Sequence, residues 1–129
     1  MQPGPADRVR SFYQARQTND PEALRPWLAP HVCWSEPTVG NHMGLLIGAD
    51  AVIDMLQRAL ATTGGTFALQ VGATIETGER CAAIIHWQAE KDGRVISGEE
   101  LAVYGFAGGQ IIEACFFASN IANDEAFWG

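Results

Sequence analysis

The chain has 129 residues, enough for one domain with its own core, and is read as a single domain over 1–129. Eight Lys and Arg face fifteen Asp and Glu, for a net charge of −7, and the basic residues are scattered without a stripe. That balance excludes nucleic acid and anionic membrane as expected partners.

Three cysteines, Cys33, Cys81 and Cys115, stand far apart among apolar neighbours. They offer neither a CxxC motif nor a His/Cys zinc spacing, so no metal or cofactor is expected; buried free thiols are. The N-terminus MQPGPADRVR has no apolar signal core, and no apolar run reaches the ~20 residues that span a bilayer. A cytoplasmic protein is expected.

After a Pro/Gly-rich start, Val9, Phe12, Tyr13 and Arg16 fall at i, i+3, i+4 and i+7, which predicts a helix over 6–18. Asn19-Asp20-Pro21 ends it and opens a second, with Asp20 as N-cap and Pro21 at its first position. That short helix carries Leu24, Trp27 and Leu28 inward, with Pro30 as its stop. HVCWSE, residues 31–36, reads as a short strand closed by Pro37. The glycine-spaced stretch 38–48 reads as a loop. Val52, Ile53, Leu56 and Leu60 restore the helical period over 49–62, and Gly64-Gly65 stops it.

From residue 66 the period changes to two. Phe67, Leu69, Val71, Ala73 and Ile75 are expected on one face of a first long strand. CAAIIHWQAE makes a second, the turn Lys91-Asp92-Gly93-Arg94 leads to a third over 95–107, and Gly108-Gly109 leads to a fourth over 110–119. Helices followed by a meander indicate an α+β fold. A long antiparallel sheet must curl to cover its helices, and a site is expected in the concavity.

Four stretches, VRSFYQARQTNDPEAL, LAPHVCWSEP, GADAVIDML and GEELAVYGFAGGQIIEA, make the chain resemble one family from about residue 8 to 121. It includes nuclear transport factor 2, ketosteroid isomerase and the SnoaL-like polyketide cyclases. The resemblance implies a cone-shaped, curved antiparallel or mixed sheet wrapped around three N-terminal helices, the cystatin-like α+β barrel. It also implies a homodimer formed through the outer sheet face. The isomerase's general base, an aspartate before a proline, falls on Glu36-Pro37. Its oxyanion tyrosine falls on Phe12 and its protonated aspartate on Ala102, and neither can donate a hydrogen bond. The acid that the cyclases carry near the end of the fourth strand is replaced by Ala118-Ser119-Asn120. The Asp-Arg-Asp set of the fold's epoxide hydrolases has no arginine in the strand interiors.

Alternation sorts the remaining candidates. Glu100, Ala102, Tyr104 and Phe106 share an inward face of the third strand, with Ile85, Trp87 and Ala89 inward on the second and Ile112, Ala114, Phe116 and Ala118 on the fourth. His86 is then outward, and Cys81, Ala83, Val95, Leu101 and Val103 are assigned to the outer face. Glu36 is the candidate base, because a carboxylate beside apolar walls is shifted toward proton uptake. Its alternative is a strand-end acid facing water. Glu100 is a second acid, Tyr104 a candidate donor, and His42 a loop histidine that could serve as acid or orient Glu36. Each has a bland reading as rim, core or surface residue. Tyr13 reaches the concavity if the helix register shifts by one. Phe12, Tyr13, Trp34, Met55, Phe67, Trp87, Ala102, Phe106, Phe116 and Ala118 are the expected pocket lining, suited to an apolar small-molecule ligand. Phe127-Trp128 is a candidate closure of the wide end or a contact to a partner subunit. The expected function is a cofactor-free isomerase, dehydratase or cyclase using a pocket carboxylate. A ligand-binding domain without chemistry and a protein-interaction module are the alternatives.

Overall fold

A computed structural model describes residues 3–36, 44–120 and 122 of the protein. Helix α1 spans Pro5–Arg16, a 3₁₀ helix Pro21–Trp27, and α2 Ala49–Thr63. Six strands follow in chain order: β1 Leu28–Ser35, β2 Leu45–Ile47, β3 Ala68–Thr77, β4 Arg80–Lys91, β5 Arg94–Ala107 and β6 Gln110–Ala118. They form one curved, unclosed sheet in the order β2-β1-β6-β5-β4-β3. The β3–β6 meander is antiparallel, β1 joins β6 in parallel, and β2 pairs antiparallel with β1. This is the α+β architecture expected from the sequence, with mixed strand directions.

Pro5 starts α1 where its missing N–H costs nothing, and Val9, Phe12 and Tyr13 bury the predicted stripe. Asn19 takes a left-handed φ of 58° and breaks the chain where expected. Asp20 holds the N-cap position of the 3₁₀ helix without a side-chain bond. Pro30 does not end that helix: β1 begins at Leu28 and runs through the proline. The β1–β6 pairing is irregular between Leu28 and Cys33, which accommodates a residue with no N–H to give. Gly64, at φ 60°, closes α2 in the left-handed cap that glycine favours. Asp92 and Gly93, both at positive φ, make the two-residue turn that joins β4 to β5.

The expected loop 38–48 contains a strand. β2 is three residues long, too short to show a period, and lies on the sheet edge with Leu45 and Ile47 exposed. Two irregularities correct the predicted faces. The β3–β4 register shifts between Val71 and Thr74, so Ile75 emerges outward and is 76% exposed. The β5–β6 register shifts at Gly105 and Phe106, so Ile111 is buried and Ile112 is exposed. Cys81 and Ala83, assigned to the outer face, are buried, because they share the parity of Ile85 and Trp87 on β4. The thiols also divide: Cys81 is buried, Cys115 half-buried and Cys33 exposed.

The core lies between the helices and the inner sheet face. Val52, Ile53 and Leu56 of α2 and the stripe of α1 pack against Trp34, Ile85, Tyr104 and Phe116. No helix among the described residues is long and apolar enough to cross a membrane.

Candidate functional site

The centre of the inner face is aromatic. Phe12 meets Tyr13, Trp34 and Tyr104 at centroid distances of 5.7, 6.2 and 6.0 Å. Phe116 lies 4.9 Å from Trp34 and 5.7 Å from Tyr104. All five are buried, as are Ala102 and Phe106. Edge-on contacts of this kind hold each ring in one orientation.

Into this cluster the chain places two hydroxyls. The Tyr13 and Tyr104 phenol oxygens are 2.6 Å apart, and the two side chains are at most 1% exposed. These are the only tyrosines in the chain. α1 brings one of them, because Phe12 and Tyr13 both lie on its buried stripe. β5 brings the other, on the inward parity of Ala102 and Phe106. Burial raises the pKa of both phenols above the ordinary value of 10. Arg16 opposes that rise, while Glu100 adds to it at both phenols and Glu36 adds to it at Tyr13. The pair therefore stays neutral at physiological pH. Each phenol carries one proton, and their mutual bond uses one of the two. The other remains to donate.

Glu36 follows β1 directly. Its backbone N–H donates to Gly44 O at 2.6 Å, which ties the two ends of the 37–43 segment together. Trp34 Nε1 donates to Glu36 Oε1 at 2.8 Å. Trp34 is fully buried, so the indole fixes one carboxylate oxygen from inside the core while Glu36 stays half-buried. Glu100 is half-buried on β5, two residues from Ala102 and opposite Ala118 in the register. Trp34 packs on Tyr104 at 6.2 Å and holds Glu36, while Glu100 shares the strand parity of Tyr104 on β5, so residues 13, 36, 100 and 104 belong to one part of the inner face.

The other sequence candidates sort around that part. Met55, Phe67 and Ala118 are half-buried. The Phe67 and Trp87 rings stack at 5.9 Å, and the Trp87 ring lies so close over Gly98 that a Cβ there would meet it at 2.8 Å. His42, Pro37 and Phe127-Trp128 lie outside the described residues. Among the described residues no cluster of three His, Cys, Asp or Glu could hold a metal ion. An open cleft at the start of α1, lined by Pro3, Arg8, Glu79 and Gly109 among others, shares no lining residue with the aromatic cluster.

Sequence reasoning did not single out Arg16 as a site residue. The guanidinium carbon stands 5.4 Å from the Tyr13 ring centroid. The available signal was its position: a cation occupying the apolar stripe of α1.

A SnoaL-like domain model matches residues 9–114. The chain belongs to the SnoaL-like domain family. Solved structures agree on the fold of this SnoaL-like domain. Bal32a, from a soil-derived mobile gene cassette, superposes with a TM-score of 0.90 at 23% identity, covering 97% of this chain and 96% of its own. A protein of unknown function with a cystatin-like fold from Xanthomonas campestris gives 0.89 at 24% identity, with 98% and 99% covered. IdmH from Streptomyces antibioticus, a proposed polyketide cyclase, gives 0.76 at 19% identity, with 91% and 93% covered. TerC, co-crystallised with polyporic acid, gives 0.80 at 17% identity, with 97% and 98% covered. No curated protein matches the chain.

Proposed function

We propose that this SnoaL-like domain is a cofactor-free small-molecule enzyme, an isomerase, dehydratase or cyclase, acting on an apolar carbonyl compound. Glu36 is the general base. It takes a proton from the carbon beside the carbonyl, the C–H electron pair moves onto the carbonyl oxygen, and the developing enolate oxygen accepts the spare tyrosine proton as a hydrogen bond. Return of the proton to another carbon gives isomerisation. Loss of a β-hydroxyl gives dehydration. Attack of the enolate carbon on a second carbonyl of the same molecule gives ring closure, with the new alkoxide taking a proton. Glu100 is the second acid available for these later proton transfers.

The observation that carries this reading is the bond from Trp34 to Glu36 at the end of the sheet where Tyr13 and Tyr104 meet. The indole orients the carboxylate, and the phenols supply the donor that Phe12 and Ala102 cannot. The likeness to IdmH, a proposed polyketide cyclase, favours ring closure among these outcomes.

2-Tetralone, a bicyclic ketone with acidic α-hydrogens, tests the base. The protein should speed exchange of those hydrogens in deuterium oxide above the buffer rate, and Glu36→Gln should lower the enzymatic rate by about 10²–10⁴-fold. Equal exchange by both proteins removes Glu36 from the reaction. A domain that only binds its ligand shows no exchange above buffer.

The outer face supports a homodimer. Leu101 and Phe117 are paired in the register there and are 37% and 54% exposed. Sedimentation of Phe117→Asp tests it: the variant should run as a monomer where the wild type runs as a dimer.

A further inference from the structure

One inward charge has no role in that scheme. Arg16 ends α1 at the spacing that turns Val9, Phe12 and Tyr13 toward the sheet, and its guanidinium lies within cation–π reach of Tyr13. It is half-buried, yet no carboxylate among the described residues forms an ion pair with it. Other arginines are used differently. Arg25 pairs with Glu22 and Asp50, Arg58 with Asp54 and Arg80 with Glu113, while Arg10 bonds two backbone carbonyls.

Half-burying a cation with no carboxylate among the described residues paired to it is costly. The field of Arg16 is also directed at the site. Arg16 acts on both phenols, more strongly than Glu100 at each and than Glu36 at Tyr13. A negative oxygen beside the tyrosine pair is therefore favoured by Arg16 against the repulsion of either acid.

We infer that Arg16 is the anion-binding residue of this site, and that the small molecule it takes carries a full negative charge on oxygen, as a carboxylate or an ionised vinylogous acid. The inference deepens the proposed function by adding a charged end to its otherwise apolar carbonyl ligand, and rests on that ligand lying at the same end of the sheet. A planar guanidinium suits such groups, because its N–H fork matches two coplanar oxygens. The charged end of the ligand then sits against Arg16, and a neighbouring carbonyl falls to the tyrosine donor. With Glu36 and Glu100 close by, Arg16 decides whether an anion enters at all.

2-Naphthoate and 2-naphthamide share a shape and differ in charge, so their ratio of dissociation constants isolates the anion. Titration followed by tryptophan fluorescence should show the acid binding about tenfold or more tightly than the amide to the wild type. Arg16→Gln should bring the ratio close to one. Arg16→Lys should keep the preference, a rescue that a merely structural arginine would not give. Equal affinities in the wild type, survival of the preference in Arg16→Gln, or binding of neither probe overturns the inference. Tetralone exchange separates the two claims. A charge-dependent preference beside unchanged exchange in Glu36→Gln removes the base and leaves Arg16, and the reverse pair of results removes Arg16 and leaves the base.

Discussion

The two faces of one sheet carry similar chemical groups under opposite conditions. Inside, Tyr104 meets Tyr13 with both side chains buried, and Trp34 holds Glu36 from within the core. Outside, between β4 and β5, His86 Nδ1 meets Glu99 Oε2 at 2.9 Å with the side chains 47% and 53% exposed. The distances are alike and the consequences are not. Water competes for the outer pair and screens it, whereas burial removes that competition from the tyrosine pair.

Changes in stability sharpen that contrast. Trp34→Ala removes a fully buried ring that packs on Phe12, Tyr104 and Phe116, and should cost about 3–5 kcal/mol in urea unfolding. Trp34→Phe keeps most of the packing and loses the bond to Glu36, so its cost should be nearer ~1 kcal/mol.

Alkaline pH acts next. Burial raises both phenol pKa values in the folded state above the unfolded value of about 10. The folded chain therefore holds protons that the unfolded chain releases. The phenol contribution is fully present below pH ~10 and declines as pH rises toward the folded values, at about 1.4 kcal/mol per pH unit for each tyrosine. Because the chain has two tyrosines, tyrosinate absorbance reports this pair alone. It should stay silent in the folded protein through pH 10 and appear with unfolding. Tyr13→Phe/Tyr104→Phe should flatten the alkaline slope. The smallest effect belongs outside: His86→Ala should change stability by less than about 1 kcal/mol. A larger loss there would break the contrast between the faces.

Much of the fold was legible because its signals are local. The stripe Val9, Phe12, Tyr13 and Arg16, the Asn19 break, the Gly64 cap and the Asp92-Gly93 turn are each written within a few residues. β2 was not, since three residues between Gly44 and Gly48 show no period. Nor were the register shifts near Gly72 and Gly105, which turn Ile75 and Ile112 outward against a simple alternation. The site divided in the same way. Glu36 could be placed from the strand and proline around it. The resemblance pointed to Phe12 for the donor, one position short of the hydroxyl that is present. The bond between Tyr13 and Tyr104 joins residues 91 apart, which no local pattern encodes. Arg16 was readable as a member of a stripe, but its role depends on the ring beneath it.

The central claim is that Glu36 works with a tyrosine pair holding one spare proton. Tetralone exchange in Tyr13→Phe, Tyr104→Phe and the double variant tests it most directly. Either single change leaves one phenol with its proton, so each should retain exchange within about tenfold of the wild type; the double variant should lose about 10²–10³-fold. A double variant that exchanges at the wild-type rate would contradict the account.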